Sequence, residues 1–227
     1  MELINEPCYK QYDFSFSYSV INKNPDKLIE LGMTSIDIKD LRVVSYILDS
    51  YDLVISAHCK QIFPKGLVEN IRCINVHPGL NPHNRGWFPQ VFSIINKKPI
   101  GCTIHLMNSE VDDGDILFQS EIKIEEDETS LCVYNRVINE EKKLLKEKFK
   151  NILDKNYVAN PPCIKGNYNS ILDFRNLTEL DLESRGTLRQ HLDLLRALSH
   201  GDFKNGYFLN CDGKKVYVTL NLEVESS

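Results

Sequence analysis

Two short apolar runs, Leu53-Val54-Ile55-Ser56-Ala57 and Cys73-Ile74-Asn75-Val76, most restrict the folds open to this chain. Neither alternates apolar with polar residues, so each reads as a strand covered on both faces, as in a sheet held between helices. The segments around them supply the rest. Asp13 to Val20 alternates Phe14, Phe16, Tyr18 and Val20 as a strand, and Asn24-Pro25 opens a short helix that Gly32 ends. Thr34 to Ile38 is a second strand, and Leu41 to Leu48 a helix with an apolar stripe. Trp87 to Ile95 reads as a helix, and Ile100 to Met107 and Ile116 to Ile124 as strands separated by a turn at Asp113-Gly114. A long helix capped by Asp127 or Thr129 then carries Leu131, Tyr134, Ile138, Leu145, Phe149 and Ile152 along one face. This order implies an α/β fold, Rossmann-like, with a mostly parallel sheet covered by helices.

A break at Asn160-Pro161-Pro162 separates a catalytic-sized domain, residues 1–160, from a small α+β appendage, residues 161–227. The appendage holds a helix from Thr187 to Leu198 and strands Tyr207 to Asn210 and Lys215 to Leu222, joined by the hairpin signal Asp212-Gly213.

Composition narrows the partners. A net charge of −5 gives no chain-wide attraction to nucleic acid or to an anionic membrane. The lysine-rich stretch Lys142 to Lys150 is interleaved with Glu140, Glu141 and Glu147 at helical spacing, which reads as a solvated face. Seven scattered cysteines with no CxxC pair point to reduced thiols and a cytoplasmic protein, as does the lack of a signal-peptide pattern or a membrane-length apolar run. Cys59 beside His58 is the local candidate for a cysteine nucleophile, but strand neighbours point to opposite faces. Glycine-rich dinucleotide and P-loop motifs are lacking. Asp112, Asp113 and Asp115 begin like a calcium loop without its later ligands, and no metal is expected.

Chemistry concentrates at one strand end. Asn75 and His77 stand two apart, so their side chains share a face, and Pro78 stops the ladder right after them. Ligands of open parallel sheets collect beyond the carboxyl ends of strands. Asp112, following the Ile100 to Met107 strand, arrives beside the pair. Taken singly, each residue reads as a turn former or a bonded structural group. Their joint order places an amide, an imidazole and a carboxylate together.

The run Asn75 to Gly86, followed by Gly101-Cys102-Thr103-Ile104-His105 and Val111-Asp112-Asp113-Gly114-Asp115-Ile116, resembles the folate-dependent formyltransferase superfamily. Ser56 to Pro64, Asn75 to Asn96 and the tail segments Leu195 to Leu198 and Asn205 to Phe208 are similar to its sugar-nucleotide branch. The resemblance implies formyl transfer from 10-formyltetrahydrofolate to the amine of a dTDP-amino sugar such as dTDP-4-amino-4,6-dideoxyglucose, for O-antigen or lipopolysaccharide synthesis by a homodimer. It implies that Asn75 and His77 donate to the developing oxyanion while Asp112 orients the imidazole and relays the amine proton. It implies a folate pocket lined by Lys60, Gln61, Ile62, Phe63 and Pro64. Asn84, Arg85, Gly86 and Trp87 would meet the nucleotide-sugar, with Arg85 on the pyrophosphate and Tyr207 or Phe208 stacked on the base.

The opening departs from that pattern. Met1 to Glu6 resembles the tail of the family's first helix, with no strand before it, which would leave unpaired sheet edges and a gap in the core. Two rival readings therefore stand beside the first: a non-catalytic nucleotide-sugar-binding remnant, and formylation of a different amine, such as that of a 3-amino sugar.

Overall fold

The computed structural model describes residues 3–225. In chain order the elements are β1 (Ser17–Ser19), α1 (Asp26–Glu30), β2 (Thr34–Ile36), α2 (Leu41–Ser50), β3 (Leu53–Ala57), α3 (Lys65–Val68), β4 (Arg72–His77), β5 (Arg85–Gly86) and α4 (Pro89–Asn96). They continue as β6 (Ile100–Leu106), β7 (Ile116–Ile122), α5 (Ser130–Leu153), β8 (Tyr168–Asn169), α6 (Ile171–Thr178), α7 (Leu188–Leu198), β9 (Tyr207–Leu209) and β10 (Lys215–Tyr217).

The central sheet runs β3-β4-β6-β7. β3 and β4 are parallel, and β6 and β7 are each antiparallel to their predecessor. Within this sheet the parallel pairing thus lies between β3 and β4, where α3 intervenes. Only residues 107–115 separate β6 from β7, too few for a crossover to a parallel neighbour. β4 alternates between two cores. Ile74 and Val76 face a cluster with Val91, Ile94, Ile100, Cys102, Ile104 and Leu117, closed over by Val133, Val137 and Ile152 of α5. Cys73 faces the other way, toward Ile38, Val44, Ile47, Phe63 and Leu67. Asn75 and His77 continue along Cys73's face of the strand.

β1 and β2 form a separate parallel pair, and among the described residues neither is laddered to β3. The side chain of Gln61 links the pieces, accepting from Ser19 Oγ at 2.6 Å and donating to Asp37 Oδ1 at 2.7 Å. The helix tail expected at residues 1–6 is a 3₁₀ turn at Leu3–Asn5, and Met1 and Glu2 lie outside the described residues. The expected strand Asp13 to Val20 is laddered only over Ser17–Ser19.

α5 corrects the sequence reading in register. Its buried line passes through Val133, Val137, Glu141 and Leu144, one position off the expected Tyr134, Ile138 and Leu145, and rejoins the expected stripe at buried Phe149 and Ile152. Glu141 belongs to that line because its carboxylate meets His58 Nε2 at 2.8 Å, and Glu140 accepts from Ser120 Oγ at 2.7 Å. These two acids therefore do not sit on a solvated face. The appendage docks through α7, where buried Arg196 donates to the carbonyls of Glu125, Glu126 and Glu128 and to Asp193. Charge-assisted bonds of this kind contribute about 1.5–3 kcal/mol each.

Candidate active site

β4 delivers Asn75 and His77 at its C-terminal end, and β6 runs opposite in a register that pairs Asn75 with His105 and His77 with Thr103. The Pro78 turn is pinned back onto the sheet by Thr103, whose hydroxyl donates to Gly79 O at 2.7 Å and accepts from the Asn81 amide at 3.0 Å. Gln119 of β7 donates to Asn81 O at 2.7 Å. So anchored, the Asn81 side chain donates to the main-chain carbonyl of Asp112 at 2.9 Å. Asp112 holds a left-handed φ of 51°, and that turn directs its carboxylate inward.

The carboxylate is a hub. Oδ1 accepts from Asn75 Nδ2 at 3.0 Å and Oδ2 from the Gly86 amide at 3.1 Å. His77 Nδ1 lies 3.6 Å from Oδ2, and His105 Nε2 3.6 Å from Oδ1. Burial alone pushes the Asp112 pKa up, but the two histidines and the Gly86 amide prevail and hold it at about 2. His77 is 4% exposed, and that desolvation carries its pKa down to about 4 against the pull of Asp112. At neutral pH the site therefore holds an anionic carboxylate beside a neutral imidazole. With Nδ1 turned to the carboxylate, the ring proton belongs there. Nε2 is left as a bare acceptor, buried and without a partner among the described residues. A Cβ at Gly79 would stand 2.4 Å from that nitrogen, so only glycine keeps it clear.

His105 is fixed differently. Its Nδ1 lies 2.7 Å from the Leu106 carbonyl, which can only accept, so Nδ1 carries the hydrogen and Nε2 accepts from Asn75 Nδ2 at 3.3 Å. Both hydrogens of the Asn75 amide are thereby engaged, one by Asp112 and one by His105. Sequence reasoning left His105, Asn81, Thr103 and Gln119 out of the site. All four reach the site through tertiary contacts that spacing along one strand does not reveal, His105 and Thr103 through the β4–β6 register.

The remaining expected site residues divide. Arg85 NH1 is bonded to Asp113 Oδ1, and its Nε is buried without a partner among the described residues. Gly86 (φ 90°) is tied to Asp112, and Trp87 is half-buried beside Phe88. Asn84 is a correction. It is 0% exposed, donates to Ser93 Oγ and Asn96 Oδ1, and accepts from Asn96, Asn167 and Asn169. Its polar atoms are spent on holding the loop, leaving none for a substrate. Tyr207 is another. Lys215 Nζ stands 3.6 Å from its ring centre, Tyr217 packs at 6.0 Å, and its hydroxyl bonds Glu179. Phe208 pairs with Val216 in the same hairpin. Neither aromatic is brought to the Asp112 hub by these contacts.

In the expected folate segment, Gln61 and Phe63 are buried in structural roles, Lys60 is exposed, Pro64 caps α3 and Ile62 is 66% exposed. Among the described residues, no backbone–backbone hydrogen bond uses residues 60–63. Apart from the Gln61 carbonyl, which Cys59 Sγ contacts, their amide and carbonyl groups carry no hydrogen-bond partner among the described residues. Cys59 is half-buried with Sγ 3.9 Å from Gln61 O, away from the hub.

Residues 42–149 match the formyl transferase family, and residues 173–224 the N-formyltransferase dimerization C-terminal domain. The chain is 48% identical over 182 residues to the dTDP-4-amino-4,6-dideoxyglucose formyltransferase of Mycobacterium tuberculosis (strain ATCC 25618 / H37Rv), covering 80% of this chain and 78% of that protein. It superposes on a sugar N-formyltransferase from Shewanella sp FDAARGOS_354 with a TM-score of 0.97 and 58% identity, covering 99% of this chain and 92% of the other. The formyltransferase PseJ of Anoxybacillus kamchatkensis, solved with UDP-4,6-dideoxy-4-formamido-L-AltNAc and tetrahydrofolate, matches with a TM-score of 0.59 and 25% identity over 72% of this chain and 89% of its own. The chain belongs to the folate-dependent formyltransferase family, in its sugar N-formyltransferase branch.

Proposed function

We propose that this protein transfers the formyl group of 10-formyltetrahydrofolate to the amine of a dTDP-amino-dideoxy sugar, dTDP-4-amino-4,6-dideoxyglucose being the first to test. We place the reaction in the cytoplasm, in the synthesis of O-antigen or lipopolysaccharide sugars. One observation carries the reading: a buried, unpartnered His77 Nε2 beside an anionic Asp112.

The residues present fit the donor. The free backbone of residues 60–63 offers alternating donors and acceptors to a pterin edge, and exposed Ile62 offers apolar surface beyond it. When bound, the donor supplies an electrophilic formyl carbon. His77 Nε2, free of a proton, takes one from the attacking amine, and the imidazolium so formed stands 3.6 Å from Asp112 Oδ2. His77 then returns the proton to the departing nitrogen. The expectation that His77 is a donor from the outset changes: it becomes one only after taking the amine proton. Asn75 can release its longer contact, 3.3 Å to His105, and turn that hydrogen to the formyl oxygen. One such donor is worth ~3 kcal/mol of barrier.

On the sugar side we retain Arg85, Gly86 and Trp87. Arg85 would exchange Asp113 for the pyrophosphate. We also infer a functional division near Asn160, with residues 1–160 carrying the chemistry and residues 161–227 joining two copies of the chain. The dimerization-domain match over residues 173–224 supports the second role. Among the described residues, no helix is long and apolar enough to cross a membrane.

Mass spectrometry of dTDP-4-amino-4,6-dideoxyglucose incubated with 10-formyltetrahydrofolate and the protein tests the reading. A 4-formamido product is expected. Binding of the nucleotide-sugar without product would favour the remnant reading, and product only from a 3-amino sugar would move the amine.

A further inference from the structure

Residues 60–63 make no backbone–backbone hydrogen bond among the described residues, so side chains must give the segment its shape. At its far end Phe63 packs into the second core and Pro64 precedes α3. In its middle the Gln61 side chain is held between Ser19 and Asp37. At its near end stands His58, the first residue after β3, with a left-handed φ of 55° that a residue other than glycine adopts at a cost. Its Nε2 lies 2.8 Å from Glu141 Oε1. A carboxylate accepts, so that nitrogen carries the hydrogen. The His58 side chain is 35% exposed and that of Glu141 only 8%. Glu141 reaches it from α5, which covers the face of the sheet opposite Asn75 and His77. Its second oxygen, Oε2, is buried without a partner among the described residues. A core position is thus held by an acid with half its bonding capacity unmet, where an apolar residue would serve stability better.

We propose that His58, clamped by buried Glu141, is a positioning residue for the formyl donor: the clamp holds the left-handed turn that aims residues 60–63 at the pterin. The inference rests on the formyl-donor reading above. Neither residue bonds the Asp112 carboxylate, whose partners are Asn75, Gly86 and the two histidines of β4 and β6. The pair therefore acts on where the donor sits and not on the transfer of the proton. Without the bond nothing offsets the strain at residue 58, and the chain leaves β3 in a different direction two residues before the segment meets its ligand. The stability given up by burying an acid is in this way tied to donor binding.

Two variants release the clamp from opposite sides. Glu141→Leu suits the core, and the His58 left behind is exposed enough to turn to water, so no buried charge is stranded and the melting temperature should not fall. His58→Gly removes the imidazole and accepts the left-handed φ without strain. The parent and both variants are titrated calorimetrically with 5-formyltetrahydrofolate and, separately, with dTDP-4-amino-4,6-dideoxyglucose, and each is melted. Both variants are expected to bind the folate about tenfold more weakly, the scale of one lost charge-assisted hydrogen bond, while nucleotide-sugar affinity stays near the parent's. A folate affinity unchanged in either variant overturns the proposal. So does a loss shared equally by the two ligands, which would mark the pair as a structural contact only. A parent that does not bind 5-formyltetrahydrofolate would instead refute the formyl-donor reading itself, so the two failures stay distinct.

Discussion

Replacing Asp112 with Asn keeps the shape of the hub and removes its charge. In the proposed reaction, the imidazolium formed when His77 takes a proton faces Asp112 Oδ2 at 3.6 Å. At an effective dielectric constant of ~20, two unit charges at that separation attract by about 4–5 kcal/mol. Most of this is absent before proton transfer, when His77 is neutral, so it acts on the barrier more than on binding. The expected loss in kcat is therefore about three orders of magnitude, with the KM for the nucleotide-sugar within a few-fold of the parent. Initial rates by mass spectrometry across a range of nucleotide-sugar concentrations measure both. Thermal unfolding of the same preparation checks that the Gly86 and Asn75 contacts to residue 112 still hold the loop. A kcat within fivefold of the parent, in a protein that melts normally, would show that Asp112 does not stabilise a charged His77 and that the proton travels elsewhere.

Three further outcomes follow from the same geometry. His77 folds with its pKa lowered from 6.5 to about 4 by burial, so the native state binds fewer protons than the unfolded one between those values. The stability this contributes, about 3 kcal/mol, is present above pH 6.5 and lost as pH falls toward 4. The melting temperature of His77→Gln should accordingly drop less than the parent's over that window, with His200, also depressed by burial, cancelling between the two. Asn84→Ala strands three side-chain amides that now donate to Asn84 Oδ1. It should cost about 3 kcal/mol in urea unfolding while leaving nucleotide-sugar affinity near the parent's; a selective loss of affinity would restore Asn84 as a substrate contact. Gly86→Ala forces a Cβ to 2.5 Å from Tyr168 Cε2 and 2.6 Å from Asn169 O at a φ of 90°. It should lower kcat at least tenfold by displacing the amide that holds Asp112, and an unchanged kcat would remove Gly86 from the site.

Asn75 and His77 were legible in the sequence because covalent spacing settles them, and Asp112 because it follows the end of a neighbouring strand. Two residues apart on a strand means one face, and a proline after them means a strand end. His105 joins them through strand pairing, a tertiary fact with no local signature. Asn84 misled for the opposite reason, since residue type shows what a side chain can bond but not whether neighbours have already taken its atoms. Glu141 shows the same limit in the core, because a helix face counted from apolar residues passes over an acid buried against a distant histidine. The strands and main helices were readable because their runs are long or strongly patterned. The two-residue pair β5–β8 and the short helix α3 were not, because tertiary contacts rather than periodicity hold them, whereas α6 was passed over although its Ser170–Asp173 capping box is a local signature.

Gln61 has a consequence beyond holding two sheet fragments together. Its side chain spans from β1 to the residue after β2, while its backbone belongs to the segment proposed above for the folate. A ligand that orders that backbone must also tighten the junction between the fragments, and thermodynamic linkage makes the exchange reciprocal. On the proposed folate pocket, Ser19 and Asp37, which anchor the Gln61 side chain, are expected to act as determinants of donor affinity. Loosening either one should be felt as weaker folate binding, and folate should in turn protect the β1–β2 amides from hydrogen exchange.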